Sequence, residues 1–252
     1  MIDALKRASA RRITAVCPFY GYSRQDRKAA GREPITARLL ADLLTVAGAD
    51  RVVVVDLHTG QIQGFFDFPV DHLTAVPLLA DHLATTLDRD VAATVVSPDA
   101  GAGKLARRFA NCLDGHGIAA DLAFIDKRRP KGTHNDAIAT EVVGVVEGRQ
   151  CILIDDMIDT AGTVVSAAEL LMSRGAASVS ILATHGLLSG PAIDRLKNGP
   201  IREVVVTNTL PIPDDKHFDS LTVLSIAPIV AEALNAVFED TSVSEICRGD
   251  NL

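Results

Sequence analysis

The sequence predicts an α/β fold in which parallel sheets are flanked by helices. Three observations predict it. Short apolar runs alternate with amphipathic stretches along the whole chain. The apolar runs are rich in Val and Ile and separated by helices, as in parallel sheets covered on both faces. The most polar and most Gly-rich segments directly follow those runs, at the strand ends where ligands of open α/β sheets bind.

The elements follow in order. ITAVCPF (13–19) reads as a strand, and PITARLLADLLTVAG (34–48) as a helix with Pro34 at its start and Gly48 past its end. RVVVVDLH (51–58) is a strand and PLLADHLATTL (77–87) a helix. AATVVSPD (92–99) is a strand, KLARRFANCL (104–113) a helix and DLAFID (121–126) a strand. GVV (144–146) reads as a short strand before CILIDD (151–156), and VVSAAELLMSRG (164–175) as a helix with its own Gly stop. SVSILATHG, EVVVTNT and TVLSIAP are further strands, and VAEALNAVF (230–238) is a last helix.

Composition narrows the function classes. Of 252 residues 48% are hydrophobic, enough for one large core or two small ones. No apolar run reaches membrane-spanning length, and the N-terminus lacks a signal-peptide pattern, so a cytoplasmic protein is expected. A net charge of -7 argues against general nucleic-acid binding. Cys17, Cys112, Cys151 and Cys247 show no C-x-x-C spacing and are expected to be buried, reduced thiols.

The chemistry concentrates in CILIDDMIDTAGT (151–163). Residues 160 to 163 precede a helix, so their amides and the helix dipole suit a phosphate, and the hydroxyls of Thr160 and Thr163 add donors. Asp155, Asp156 and Asp159 do not suit a phosphate. Carboxylates do suit vicinal sugar hydroxyls or a hydrated Mg²⁺, and a ribose phosphate needs both features. One capping acid would serve a helix, and three are present.

Other strand-following loops carry cations. FIDKRRPKG places Lys127, Arg128 and Arg129 after a strand, where phosphoryl transfer would need positive charge. GYSRQDRK supplies Arg24, Gln25, Arg27 and Lys28, with Arg suited to phosphate and Gln to a base edge. A solvated charge run is the plainer reading of each. GAGKLA (101–106) fits a dinucleotide fingerprint, but Pro98 and Leu105 exclude a Walker loop.

Apolar strand plus DDMIDTAGT resembles the phosphoribosyl-diphosphate signature of type I phosphoribosyltransferase folds. PFYGYSRQDRK, DLHTGQIQGFF, SPDAG, FIDKRRP and LSGPAIDRL, in that order, resemble the ribose-phosphate diphosphokinase family across nearly the whole chain. The resemblance implies two phosphoribosyltransferase-type domains. The N-terminal one spans 1–74, with the last helix (about 228–245) packed back on it. The C-terminal one spans 75–221 and binds ribose 5-phosphate.

The resemblance further implies diphosphoryl transfer from ATP to the 1-hydroxyl of ribose 5-phosphate, with Mg²⁺ as cofactor. Lys127 and Arg129 would be catalytic; Arg24, Gln25, Arg27 and His58 would contact ATP. Arg129, Asp155, Asp156, Asp159, Thr160, Ala161, Gly162 and Thr163 would hold ribose 5-phosphate, and His58 and Asp99 would stand on the metal side. A homo-oligomer, a hexamer by resemblance, is implied, with no nucleic-acid or membrane partner.

Three departures stand out. Ala161 occupies a position where the family commonly has Gly, and Ala102–Gly103 depart from a Gly-Gly pattern. The chain also starts after an upstream family segment that helps hold adenine, so the N-terminal domain is expected to be truncated. A non-catalytic regulatory subunit, or an inactive fragment, is therefore the alternative. A phosphoribosyltransferase would share residues 155–163 but would need neither GYSRQDRK nor FIDKRRP.

Overall fold

The computed structural model describes residues 1–99, 101–128 and 139–243, without the side chains of residues 127, 128, 139 and 140. Contacts divide the chain into two units: Met1–Ala75 together with the chain from Ala227 onward, and Val76–Ile226.

The first unit holds α1 (Ile2–Arg7), β1 (Thr14–Cys17), α2 (Thr36–Ala47), β2 (Arg51–Val55), a 3-10 turn (Gly60–Phe65) and β3 (Val70–Leu73). Its strands form a parallel sheet in the order β1-β2-β3. Val52 to Val55 of the central strand are fully buried, as a run of four valines requires. The core is completed by Ala37 and Ala41 of α2, by Ile62 of the 3-10 turn, and by Tyr20 edge-on to Phe66. Gly48 ends α2 at φ 102°, a left-handed cap that only glycine adopts cheaply. The last helix, α7 (Ala227–Phe238), belongs to this unit; Arg12 donates to its Val237 carbonyl.

The second unit is built on seven strands in the order β10-β9-β8-β7-β4-β5-β6. These are β4 (Ala93–Ser97), β5 (Ala120–Arg128), β6 (Ala139–Val143), β7 (Gln150–Ile158), β8 (Ser178–Gly186), β9 (Glu203–Thr207) and β10 (Leu221–Leu224). All pairings are parallel except β5 with β6. Cys151 and Leu153 of β7 pack into one core, with α5 (Gly162–Ser173) and α6 (Ala192–Asn198). Ile152 and Ile154 point the other way, into a second core with α3 (Val76–Thr86) and α4 (Gly103–Gly115). A strand covered on both faces cannot alternate in polarity, and CILI does not.

GVV (144–146) is not a strand. Gly144 sits at φ 124°, and a Cβ there would lie 2.6 Å from the Cβ of Ala123. It ends β6, which lies just upstream and runs antiparallel to β5. The short elements α1, β3 and α6 were not predicted. Each is at most seven residues long and carries charged or polar residues that mask its period. Of the cysteines, only Cys151 is fully buried among the described residues, and burial pushes its thiol up to about 11; Cys17 and Cys112 are half-buried. No helix among the described residues is long and apolar enough to cross a membrane.

Candidate active site

In the second unit the apolar strand β7 delivers its two carboxylates at its carboxyl end. Asp155 and Asp156 are half-buried, between the buried residues Ile154 and Met157. The Asp156 amide donates to Asp155 Oδ1 at 2.9 Å, which turns the first carboxylate back over the strand end. Burial, then the Asp156 carboxylate, then Asp99 push the Asp155 carboxyl up to about 7. Three acids thus share one field, and a proton or a cation is what that field lacks.

The turn that follows has the geometry of an anion cradle. Ala161 is the N-cap of α5 in the left-handed conformation, at φ 59° and ψ 3°. Glycine would adopt this conformation freely, whereas an L-residue there costs about 1 kcal/mol or more. Its methyl is not idle, since Ala161 is 3% exposed and part of the core under α5. Thr160 and Thr163 are exposed, and the first-turn amides of α5 have no intrahelical acceptor. Asp155, Asp156 and residues 159–163 therefore follow one another at the carboxyl end of β7 and the start of α5.

Asp99 follows β4. Its Oδ1 accepts the amides of Gly101 at 2.8 Å and Ala102 at 3.1 Å. Those amides are occupied by the chain's own carboxylate, so GAGKLA does not present the amide nest a pyrophosphate would use. Lys127 lies near the end of β5, with its side chain outside the described residues; Arg129 lies outside them entirely.

In the first unit, the expected ATP contacts sit on two turns that the fold ties together. Arg24, Gln25 and Arg27 are exposed on the loop after β1, and His58 is exposed after β2. Thr59 Oγ1 donates to Asp26 Oδ2 at 2.8 Å, joining the two turns. Tyr20 holds the same loop to α2, its hydroxyl donating to the Ala37 carbonyl at 2.9 Å. Asp56, at φ 38°, turns the chain out of β2, and its Oδ2 accepts the Ala75 amide at 2.8 Å. The Leu57 amide donates to His72 Nε2 at 2.9 Å. His58 and Asp99, expected together on the metal side, belong to different units.

Four contributors were not predicted: Asp26, Thr59, His72 and Arg195. Asp26, Thr59 and Arg195 lie inside motifs already singled out, yet nothing in the sequence pairs them with their partners. His72 belongs to a strand four residues long. Arg195 Nη1 donates to the Thr160 carbonyl at 2.9 Å from α6, 35 residues downstream.

A carboxylate pair at the end of a strand of an α/β sheet, followed by a helix start, lies where such sheets bind their ligands. Comparison with known proteins narrows this. The model of the phosphoribosyl synthetase-associated domain matches residues 123–248, and that of the N-terminal domain of ribose phosphate pyrophosphokinase matches residues 1–48. A curated ribose-phosphate pyrophosphokinase of Streptomyces avermitilis is 58% identical over 246 residues, 98% of this chain and 74% of the relative. One of Mycobacterium tuberculosis is 56% identical over 250 residues, 99% of this chain and 75% of the relative. The crystal structure of phosphoribosylpyrophosphate synthetase from Mycobacterium smegmatis superposes with a TM-score of 0.87 at 56% identity, covering 95% of this chain and 76% of that one. The chain belongs to the ribose-phosphate pyrophosphokinase family.

Proposed function

We propose that the chain transfers the diphosphoryl group of ATP to the 1-hydroxyl of ribose 5-phosphate, giving phosphoribosyl diphosphate and AMP. The observation that carries this reading is the pairing of Asp155 and Asp156 with the left-handed turn at Ala161. In this reading the amides of 161–163 and the two threonine hydroxyls hold the 5-phosphate, and the carboxylates align the hydroxyl edge of the sugar. The 1-hydroxyl oxygen then bonds to the β-phosphorus. The bond from that phosphorus to the bridging oxygen of the α-phosphate breaks, AMP departs with the oxygen, and the hydroxyl proton is released.

Lys127 and Arg129 follow β5 in sequence and would stabilise the charge that builds on the transferring group. Arg24, Gln25, Arg27 and His58 would bind ATP, the cations on the phosphates and the amide on the base. Asp99, Asp155 and Asp156 offer the oxygen donors that a hydrated Mg²⁺ takes through water, but no group of three His, Cys, Asp or Glu among the described residues would hold the ion unaided, so the ATP phosphates would supply the remaining ligands. Mg²⁺ bound there would neutralise phosphate charge. His58 offers nitrogen, which suits ATP phosphates better than Mg²⁺.

We further read the protein as a cytoplasmic homo-oligomer. Leu122, Phe124, Val143 and Val145 are exposed, and Phe124 pairs with Val143 across the β5–β6 hairpin, a patch that a second subunit would cover.

Lys127→Ala tests the catalytic assignment. The expected result is a fall in kcat of about 100-fold or more, on the order of 3 kcal/mol, with ribose 5-phosphate binding retained. Near-normal turnover would remove Lys127 from the mechanism.

A further inference from the structure

We propose that Arg195 is a positioning residue for the sugar-phosphate loop. It grips the carbonyl side of that loop and leaves the amide side open to the 5-phosphate. The inference rests on the reading of residues 159–163 as the phosphate cradle.

The argument starts from the carbonyls that leave β7. The parallel ladder with β8 ends at Ile158 opposite Gly186. Past that point the chain still has carbonyls to satisfy, one after another. Ile158 O accepts the amides of Leu187 at 2.9 Å and Leu188 at 3.1 Å. Asp159 O accepts the amide of Ser189 at 2.9 Å. The ladder would next need a donor for Thr160 O. By then the partner segment is turning away: Gly190 is at φ 52°, and Pro191 has no N–H. The donor comes instead from a side chain, Arg195 Nη1, at 2.9 Å.

A second observation points the same way. A Cβ built on Gly162 would lie 3.2 Å from Arg195 Nη1, tighter than ordinary van der Waals contact. Gly162 thus makes room for the guanidinium at the start of α5. The helix bearing Arg195 is itself anchored, since Ala192 and Leu196 are buried in the core beneath α5. Arg195 therefore ties the turn to a fixed body just before the amides that would bind phosphate, where Ala161 holds strained backbone. Arg195 also places a positive charge behind the turn, which adds attraction for a dianion but is screened because the side chain is exposed.

The test is steady-state kinetics on Arg195→Met, Arg195→Lys, Gly162→Ala and Thr163→Val, with thermal unfolding of each. Loss of one charge-assisted hydrogen bond predicts a rise of about 10-fold in KM for ribose 5-phosphate for Arg195→Met, with KM for ATP and kcat within about twofold. Arg195→Lys keeps a donor and should recover most of the affinity. Millimolar guanidinium ion should partly rescue Arg195→Met. Gly162→Ala crowds the guanidinium by a few tenths of an ångström and should weaken ribose 5-phosphate binding in the same direction as Arg195→Met but less, with the double variant no worse than Arg195→Met alone. An unchanged KM for ribose 5-phosphate in Arg195→Met, or equal rises in both KM values, overturns the inference. Thr163→Val separates the failures. If it weakens sugar binding while Arg195→Met does not, only the role of Arg195 is lost. If neither acts, the cradle reading falls with it.

Discussion

Asp155 is where function costs stability. Burial first, and then the neighbouring carboxylates, push its carboxyl up, the reverse of the usual stabilised carboxylate. The unfolded chain releases this proton near 3.8 and the folded chain near 7. Between those values the folded state binds the extra proton, so stability falls as pH rises across that window. The cost is fully present above about 7 and absent below 3.8, and it amounts to roughly a few kcal/mol. Asp155→Asn keeps the oxygen that accepts the Asp156 amide but carries no charge. It should raise the unfolding temperature of the ligand-free chain at pH 8, with the gain shrinking as pH falls toward 4, while weakening ribose 5-phosphate binding. A variant equally stable at both pH values, or less stable at pH 8, would show that the carboxylate is not strained by its neighbours. Ala161 is a smaller instance of the same trade: its backbone is left-handed for the cradle, and its buried methyl returns part of the cost.

Among the elements, the turn after β2 shows how a site is assembled from pieces that mean little alone. Asp56, Leu57 and Thr59 are each held by a partner from a different segment: Ala75, His72 and Asp26. His58 stands exposed on a turn whose neighbouring residues are fixed in this way. His72 can accept the Leu57 amide at Nε2 only with its proton on Nδ1. His72→Gln, whose side-chain oxygen can accept the same amide, should keep KM for ATP near the parent value. His72→Leu leaves a buried amide unpaired and should raise it by about 5- to 10-fold. Equal kinetics for the two would mean the hydrogen bond does not orient the turn.

The same elements show what was legible in the sequence. RVVVV and CILI announce buried strands because four consecutive β-branched or aliphatic residues fit few other settings. DDMIDTAGT announces a strand end followed by a helix start, and reads as a candidate cradle because acids and small residues are adjacent in the chain. The roles of His72 and of Arg195, though the latter sits in LSGPAIDRL, were not legible, since their partners lie 15 and 35 residues away and nothing local marks the pairing. GVV looked like a strand because periodicity does not report a glycine at φ 124° crowding Ala123.

For the whole molecule, in the proposed reading, the first unit carries cations and an amide suited to ATP, and the second carries carboxylates and an amide cradle suited to the sugar phosphate. Family membership rests on 58% identity spread over 98% of the chain, not on any single motif. The central claim is that both substrates are used in one transfer. The direct measurement is AMP release from Mg²⁺–ATP by the purified chain, with and without ribose 5-phosphate. The account predicts AMP formed only when the sugar phosphate is present, in equal amount to phosphoribosyl diphosphate. AMP release that ignores the sugar, or none with both substrates supplied, would contradict it.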